Sequence, residues 1–503
     1  MQAWLLDYLP LLIVLSSLLP GLLIFTLKEQ QVALRTFLNL LGVTLKLLLV
    51  FLMWQGVKEG ESYYYRVAFL PGADLILQAD ALSLLFVVLS SVLWLATTIY
   101  AIGYLEHSPL RSRFFGYFSL CVSATVGLAL AGNLVTFLLF YELLTLATFP
   151  LVVHRGTPQS LAAGRRYLAY TLSGGLLLML GVSLLHLLAG SPDFTPGGYL
   201  APLLASGNVL LQVAFALLIA GLGVKAALFP LHGWLPQAMV APAPVSALLH
   251  AVAVVKAGVF GIVRVVYDVF GVEVVRALDL AWPLLFLAAF TILFGSWRAL
   301  AQQDLKKRLA YSTISQVSYI TLGVALLGPL AAVGALVHLV HQGVMKITLF
   351  FCAGNYAETL GIHKIRELNG VGRQMPMTSL AFTIGALGMI GIPPAAGFIS
   401  KWYLGLGAAE VAQPWIILVF VLSGLLNACY FLPVVYRIWF GVQYSAWPAP
   451  QRLSSRFETH WMLLAPPMFT LGLILLMGLF ASTELSPLSW SELIVEREFS
   501  FDD

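Results

Sequence analysis

The sequence predicts an all-α polytopic membrane protein of about 14 transmembrane helices, with two inverted five-helix repeats and two broken helices. Three observations lead there. The chain of 503 residues is 60% hydrophobic and only 10% charged, with a mean hydropathy of +0.91, more apolar than a water-exposed surface of this size permits. Apolar runs of about 20 residues or longer recur from end to end. Two of them are interrupted by prolines beside a lysine.

Candidate spans lie near 3–27, 33–54, 80–102, 113–131, 133–153, 165–190, 209–229, 244–267, 280–299, 306–327, 329–354, 377–409, 414–440 and 460–482. The first run has no basic stretch before it and reads as a retained helix, not a cleaved signal. Segment 55–79, with Lys58, Glu59, Glu61, Arg66 and Asp74, is too polar to span and reads as an extramembrane hairpin. The loop at 191–208 is likewise extramembrane, and the tail after 482 is short and mildly acidic, ending in Asp502 and Asp503. The expected organisation is three N-terminal helices with the hairpin (1–112), a first repeat (113–270), a second repeat (271–440) and a C-terminal helix with tail (441–503). Cys121, Cys352 and Cys429 lie in apolar runs without CxxC spacing, which excludes an iron–sulfur or disulfide reading.

Basic residues set the expected orientation. Odd-numbered loops hold Lys28, Arg35, Arg111, Arg113, Arg155, Arg165, Arg166, Arg298, Lys306, Lys307, Arg308, Lys364, Arg366, Arg373, Arg437, Arg452 and Arg456. Even-numbered loops and the termini hold Lys58, Arg66, Arg264, Arg276 and Arg497. The positive-inside rule then puts odd loops in the cytoplasm and both termini outside.

Five bases remain inside the spans: Lys46, Lys225, Lys256, Lys346 and Lys401. One carboxylate, Glu142, sits at mid-span, and His250, His338 and His341 join the set. Charged groups at bilayer depth are costly and mark ion or proton pathways by default. Glu142 reads as either a structural ion-pair partner or a switchable proton-relay partner, and the cost favours the relay. Lys46, in an early peripheral helix, is expected to snorkel to the interface and serve structure. His341 could equally bond a neighbouring carbonyl. A lysine taken out of water can lose and regain its proton near neutral pH, and an approaching carboxylate opposes the loss. Sodium would want several oxygen ligands, and this interior offers few carboxylates.

The stretch GLGVKAALFPLHGWLPQAMVAPAPVSALLHAVAVVKAGVFGIVR (221–264) breaks the seventh span at Pro230, Pro236, Pro242 and Pro244, between Lys225 and Lys256. In the twelfth, GIPPAAGFISKWY (391–403) places Pro393, Pro394 and Gly397 just before Lys401. Broken helices at membrane depth persist only where protein or a water-filled cavity satisfies the freed backbone. An offset of five helices inverts topology, so spans 4–8 are expected to match 9–13.

These residues resemble the antiporter-like subunits shared by respiratory complex I, Mrp-type cation/proton antiporters and membrane-bound hydrogenases. Further matches are ADALSLLF around Asp80, FYELL around Glu142, DLKKRLAYSTISQVSYI from Asp304, and HLVHQGVMKITLFFCAG from His338. SALLHAVAVVKAGVFGI, with a lysine at 401, is most similar to the D-type subunit of Mrp antiporters. The resemblance covers about 80–440. It implies a Glu142–Lys225 pair, a central relay at Lys256, links at His338 and Lys346, and an exit-side Lys401; His250 is taken as a further relay candidate from its place among the buried ionisable residues. Gln342 stands where many relatives carry a histidine, with His341 beside it; Tyr141 replaces a common tryptophan and Met239 a frequent histidine.

The function expected is a proton-translocating subunit of a multisubunit Na⁺/proton antiporter in a bacterial or archaeal cell membrane. The alternatives are the pumping subunit of a redox complex, such as a complex I-like NADH:quinone oxidoreductase or a membrane-bound hydrogenase, and a stand-alone carrier or channel. The first two require other membrane subunits as partners. No cofactor, metal or nucleic acid is expected: GLGVKA superficially matches a dinucleotide loop, but no strand precedes it.

Overall fold

The computed structural model describes residues 7–70, 72–106, 108–204, 208–443, 447 and 458–499. The described chain is helical apart from one hairpin. Its elements are α1 (Leu9–Phe25), α2 (Val32–Lys58), β1 (Tyr63–Leu70), β2 (Ala73–Ala79), α3 (Ala81–Tyr104), α4 (Arg111–Ala129), α5 (Leu134–Val152) and α6 (Pro158–Ala189). Next come α7 (Asn208–Lys225), the short α8 (Trp234–Gln237), α9 (Ala243–Ala251), α10 (Val254–Arg264), a π-helix (Val265–Phe270) and α11 (Gly271–Ala277). The second half holds α12 (Ala281–Leu300), α13 (Leu305–Ala325), α14 (Pro329–Leu360), α15 (Pro376–Ile390), α16 (Gly397–Glu410), α17 (Pro414–Phe440), α18 (Trp461–Leu479) and α19 (Pro487–Phe499). Among the described residues, nine helical stretches are long and apolar enough to cross a membrane, and three shorter ones are apolar. The longer helices through α18 overlap the segments expected from the sequence, while α8, α11 and α19 lie outside them. Arg452 and Arg456, counted for orientation, lie outside the described residues, as do residues 1–6 and 500–503.

Local chemistry explains many of the starts. Asp80 caps α3 by accepting from Ser83 N at 2.6 Å, and Asn133 caps α5 through Thr136 N at 2.8 Å. Asp304 caps α13 through Lys307 N at 2.9 Å, while Pro158, Pro329, Pro376 and Pro414 occupy first-turn positions that need no N–H. The hairpin pairs Tyr63 with Ala79 through Ala68 with Asp74 and is anchored to the α4–α5 turn by Gln78 N to Leu130 O at 2.7 Å.

The stretch 243–277 and α14 form the buried axis, with the remaining helices packed around them. Small residues let the backbones approach. A Cβ on Gly258 would lie 2.2 Å from Ala226 N, and one on Gly407 would lie 2.3 Å from Ala331 N, so α10 meets α7 and α16 meets α14 backbone to backbone. The start of α1, the hairpin, the 193–199 loop and α19 share one face: Tyr8 packs on Tyr65 at 5.4 Å, Arg66 pairs with Asp193 at 3.1 Å, and Trp490 donates to Ala81 O at 2.8 Å. We call this the hairpin face.

Three expectations need correction. Lys46 does not snorkel: it is fully buried, its Nζ donates to Ser17 Oγ at 2.6 Å and it lies 4.9 Å from the Trp94 ring centroid. Arg264 is not a loop residue. It ends α10 buried and paired with Asp80, because the helix runs on through the π-helix to Ala277 instead of stopping at 267. That continuation also buries Asp268, a second intramembrane carboxylate beside Glu142. Finally, the segment after 482 folds into α19.

Candidate functional site: a buried series of lysines

The seventh span stops at Lys225 because Ala227 adopts a positive φ of 57° and Pro230 follows, so the chain turns before α8. The freed backbone is satisfied internally: Trp234 Nε1 donates to Val224 O at 2.8 Å, and Phe229 N to Thr291 Oγ1 at 3.1 Å. Lys225, fully buried at this break, donates to the Tyr141 carbonyl, with its Nζ 3.4 Å from the Tyr141 ring centroid. Tyr141 is fixed in turn by its hydroxyl on Gly221 O at 2.9 Å.

Glu142, next in the chain, makes no ion pair with Lys225, although each lies within the other's electrostatic reach. Its carboxylate lies on Gly175 of α6, where a Cβ would come within 1.8 Å of Oε1, and Oε1 has no hydrogen-bond partner. The expected pair is therefore apart in this structure, with a backbone carbonyl in the carboxylate's place.

A second break, between α9 and α10, was not expected. Ala253 leaves helical geometry at φ −108° and ψ −85°, and Lys256 follows three residues later. Lys256 is fully buried and donates to Leu339 O at 2.7 Å, tying α10 to α14. His250, in the last turn of α9, stacks 4.6 Å from Phe350 with both ring nitrogens unpartnered.

On α14, His338 Nδ1 bonds Ser400 Oγ at 2.8 Å and its ring stacks on Tyr319 at 5.3 Å. Tyr319 also lies 5.4 Å from Lys401 Nζ, so one aromatic ring bridges the two. Lys346 donates to Ser312 Oγ at 2.6 Å, and Tyr430 bonds the same hydroxyl at 2.8 Å while reaching Asn427 Oδ1 at 2.5 Å. Lys401 follows the 391–396 break and donates to the freed carbonyls of Met389 at 2.6 Å and Ile390 at 3.0 Å.

Ser312, Gln316, Tyr319, Asn427 and Tyr430 were missed as site residues. The signal for the first three was present: spacings of four and three put them on one face of the helix. His250, Gln316, the Tyr319 hydroxyl, His338 Nε2, His341 and Gln342 all carry buried polar atoms with no protein partner. Buried polar groups are ordinarily satisfied by protein or ordered water, so a row of orphans beside the lysines calls for internal water. Among the described residues, no group of three or more His, Cys, Asp or Glu side chains could hold a metal ion.

The family described as "NADH:quinone oxidoreductase/Mrp antiporter, TM" matches residues 131–427, and one described as "NADH-Ubiquinone oxidoreductase (complex I), chain 5 N-terminus" matches 72–115. The chain is 37% identical over 384 residues to NADH-quinone oxidoreductase subunit N of Desulforudis audaxviator, covering 75% of each protein. It is 31% identical to a probable K(+)/H(+) antiporter component of Rhizobium meliloti, covering 86% of this chain but 43% of that one. Among solved structures, a chain of the Mrp complex from Dietzia sp. superposes with a TM-score of 0.84 at 23% identity, covering 99% of this chain and 98% of that one. A chain of the archaeal membrane-bound sulfane sulfur reductase gives 0.83 at 24% identity, covering 99% of both. With its family match over more than half its length and a relative at this identity, the chain belongs to the NADH:quinone oxidoreductase/Mrp antiporter family of multi-pass membrane subunits.

Proposed function

We propose that this chain translocates protons as a subunit of a multisubunit Na⁺/proton antiporter, alongside other membrane subunits in a bacterial or archaeal cell membrane. The observation that carries the reading is the lysine series: Lys225, Lys256, Lys346 and Lys401 are each held by carbonyl or hydroxyl oxygens, not by a carboxylate. A neutral acceptor lets an ammonium give up its proton without stranding a buried anion, which is the costly outcome for an ion pair. In this reading Glu142 is the mobile charge that loads Lys225, and His250 and His338 with internal water join Lys256, Lys346 and Lys401. The architecture belonging to it has about 14 spans, inverted repeats at 113–270 and 271–440, and both termini outside.

A second reading, a proton-pumping subunit of a redox complex, is favoured by the likeness to an NADH-quinone oxidoreductase subunit. Mass spectrometry of the intact purified complex separates the two: partners with iron–sulfur motifs support the redox reading, and membrane subunits alone the antiporter. Proteoliposomes holding only this chain are expected to show no Na⁺ flux, whereas the full complex shows it. Sodium transport by the isolated chain would refute the assignment.

A further inference from the structure

The hairpin face carries a second group of ionisable side chains that the lysine series does not use. Arg264 is 2% exposed and donates in bidentate fashion to Asp80, at 2.7 and 2.8 Å, and to Asp268 at 3.1 Å. Asp268, 1% exposed, sits on the π-helix that interrupts 243–277, and π-bulges of this kind often mark functional sites. Glu498 of α19 joins them: it lies carboxyl to carboxyl with Asp268 and accepts from Gly197 N at 3.3 Å.

The group is roofed. Phe194 lies 5.3 Å from the Arg264 guanidinium, and Gly198 meets Gly271 so closely that a Cβ on it would fall 2.4 Å from Gly271 N. Over this, α19 is pinned at Ala81 by Trp490, at Tyr267 by Phe499 (5.9 Å) and at Tyr403 by Glu492 Oε1 (3.2 Å). Tyr267, 2% exposed and beside Glu498, has an unpartnered hydroxyl, and so does the buried Arg264 Nε lack a partner.

Three carboxyls thus gather around one buried guanidinium, Asp268 buried with it and Asp80 and Glu498 partly exposed. Burial, with Asp268 beside it, pushes Glu498 up to about 9. A hydrogen bond between the two carboxyls requires a proton on one of them, because an ionised carboxylate only accepts. Arg264 lies eight residues along α10 from Lys256, about 12 Å by the helical rise, so the group stands between the central lysine and the hairpin face.

We propose that Asp80, Arg264, Asp268 and Glu498 form a proton terminal on the hairpin face, in which the proton shared by Asp268 and Glu498 passes between the Lys256 region and bulk water, with α19 as its lid. The inference rests on the proton-translocation reading and adds a terminal to it. The step is a bare proton transfer: the O–H of one carboxyl breaks as a water or the other carboxylate takes the proton, and a proton from the interior or from bulk restores it. Arg264 holds Asp80 ionised; with one proton shared by Asp268 and Glu498, it offsets one of the two remaining negative charges and leaves the group one charge negative.

The test uses the assembled complex in proteoliposomes. At neutral pH, infrared difference spectra of wild type and Glu498→Gln are expected to differ by the C=O stretch of one protonated carboxyl, and proton transport to fall at least about tenfold (1.4 kcal/mol). Asp268→Asn, which removes the neighbouring charge that helps raise Glu498, is expected to make the same band disappear at a lower external pH than in wild type. Glu496→Gln, on the exposed side of α19, leaves both signals unchanged. A wild-type spectrum without the Glu498 band, a band removed by Na⁺ at constant ionic strength, or wild-type transport in an assembled Glu498→Gln complex would each overturn the proposal. The band is read without transport, so a failure of the lysine relay is distinguishable from a failure of the terminal.

Discussion

Replacing Arg264 by methionine removes three charge-assisted hydrogen bonds, at 2.7, 2.8 and 3.1 Å, from a position 2% exposed. Methionine fills most of the volume, so the cost comes from the carboxylates left behind. Asp268 is buried and would lose its only cationic neighbour among the described partners. Asp80 is 32% exposed and keeps Ser83 N at 2.6 Å, so its penalty is softened by solvent and by the helix cap. Breaking a buried ion pair from one side costs about 3–5 kcal/mol, and the exposure of Asp80 places this case near 3. At 1.4 kcal/mol per tenfold, that is about a hundredfold in the folding equilibrium. Unfolding of the purified chain by denaturing detergent measures it. The Arg264→Met/Asp268→Asn double mutant is expected to lose about 1 kcal/mol or more less than the sum of the singles. A single-mutant loss under about 1 kcal/mol, the range of an exposed pair, or strict additivity, would refute the view that this guanidinium offsets the group's negative charge.

Other expectations follow from the same contacts. Gly258→Ala drives a Cβ to 2.2 Å from the α7 backbone and is expected to cost about 1–3 kcal/mol, whereas Gly405→Ala, with nothing within 4 Å, is neutral or stabilising; the same unfolding assay reads both. Lys46→Met keeps the stem beside Trp94 and is expected to be near neutral, while Lys46→Ala leaves a cavity costing about 2–3 kcal/mol, with transport per assembled complex unchanged in both. Docking of α19 should weaken with rising pH. Glu498 is near its ordinary value of about 4.3 when free and raised to about 9 when docked, so docking stability is full below the lower value and lost as pH rises through the higher one. Hydrogen exchange of the 487–499 amides, corrected for intrinsic rates, should show that loss in wild type and a flat profile in Glu498→Gln.

What the sequence disclosed, and what it hid, follows from where each signal lives. Glu142 and the lysines stood out because charge inside an apolar run is visible without any knowledge of neighbours, and the 391–396 break was written in Pro393, Pro394 and Gly397. The break at Ala253 was not legible, because the residues there are Ala and Val and the distortion comes from tertiary packing. Arg264 reads as a loop cation because it stands in the last turn before the expected span end at 267. Its burial depends on Asp80, 184 residues away in the chain. Lys46 read as a snorkelling residue because its helix is early in sequence, yet Ser17 and Trp94 enclose it. Glu498 gave no signal at all: an acidic residue near a chain end is ordinarily solvated, and only the docking of α19 buries it beside Asp268.

The central claim is that Glu142 and Lys225 act as one proton-loading switch, caught here apart. Proton uptake by proteoliposomes of the intact complex, comparing wild type with Glu142→Gln, Lys225→Ala and the double mutant, tests it most directly. Gln keeps the size and hydrogen bonding of Glu142 but not its charge, so assembly should persist. Coupled transport should be abolished in all three variants, with the double mutant no worse than either single one, because residues acting as a unit are non-additive. Transport at the wild-type rate by an assembled Glu142→Gln complex would make the pair structural and contradict the account.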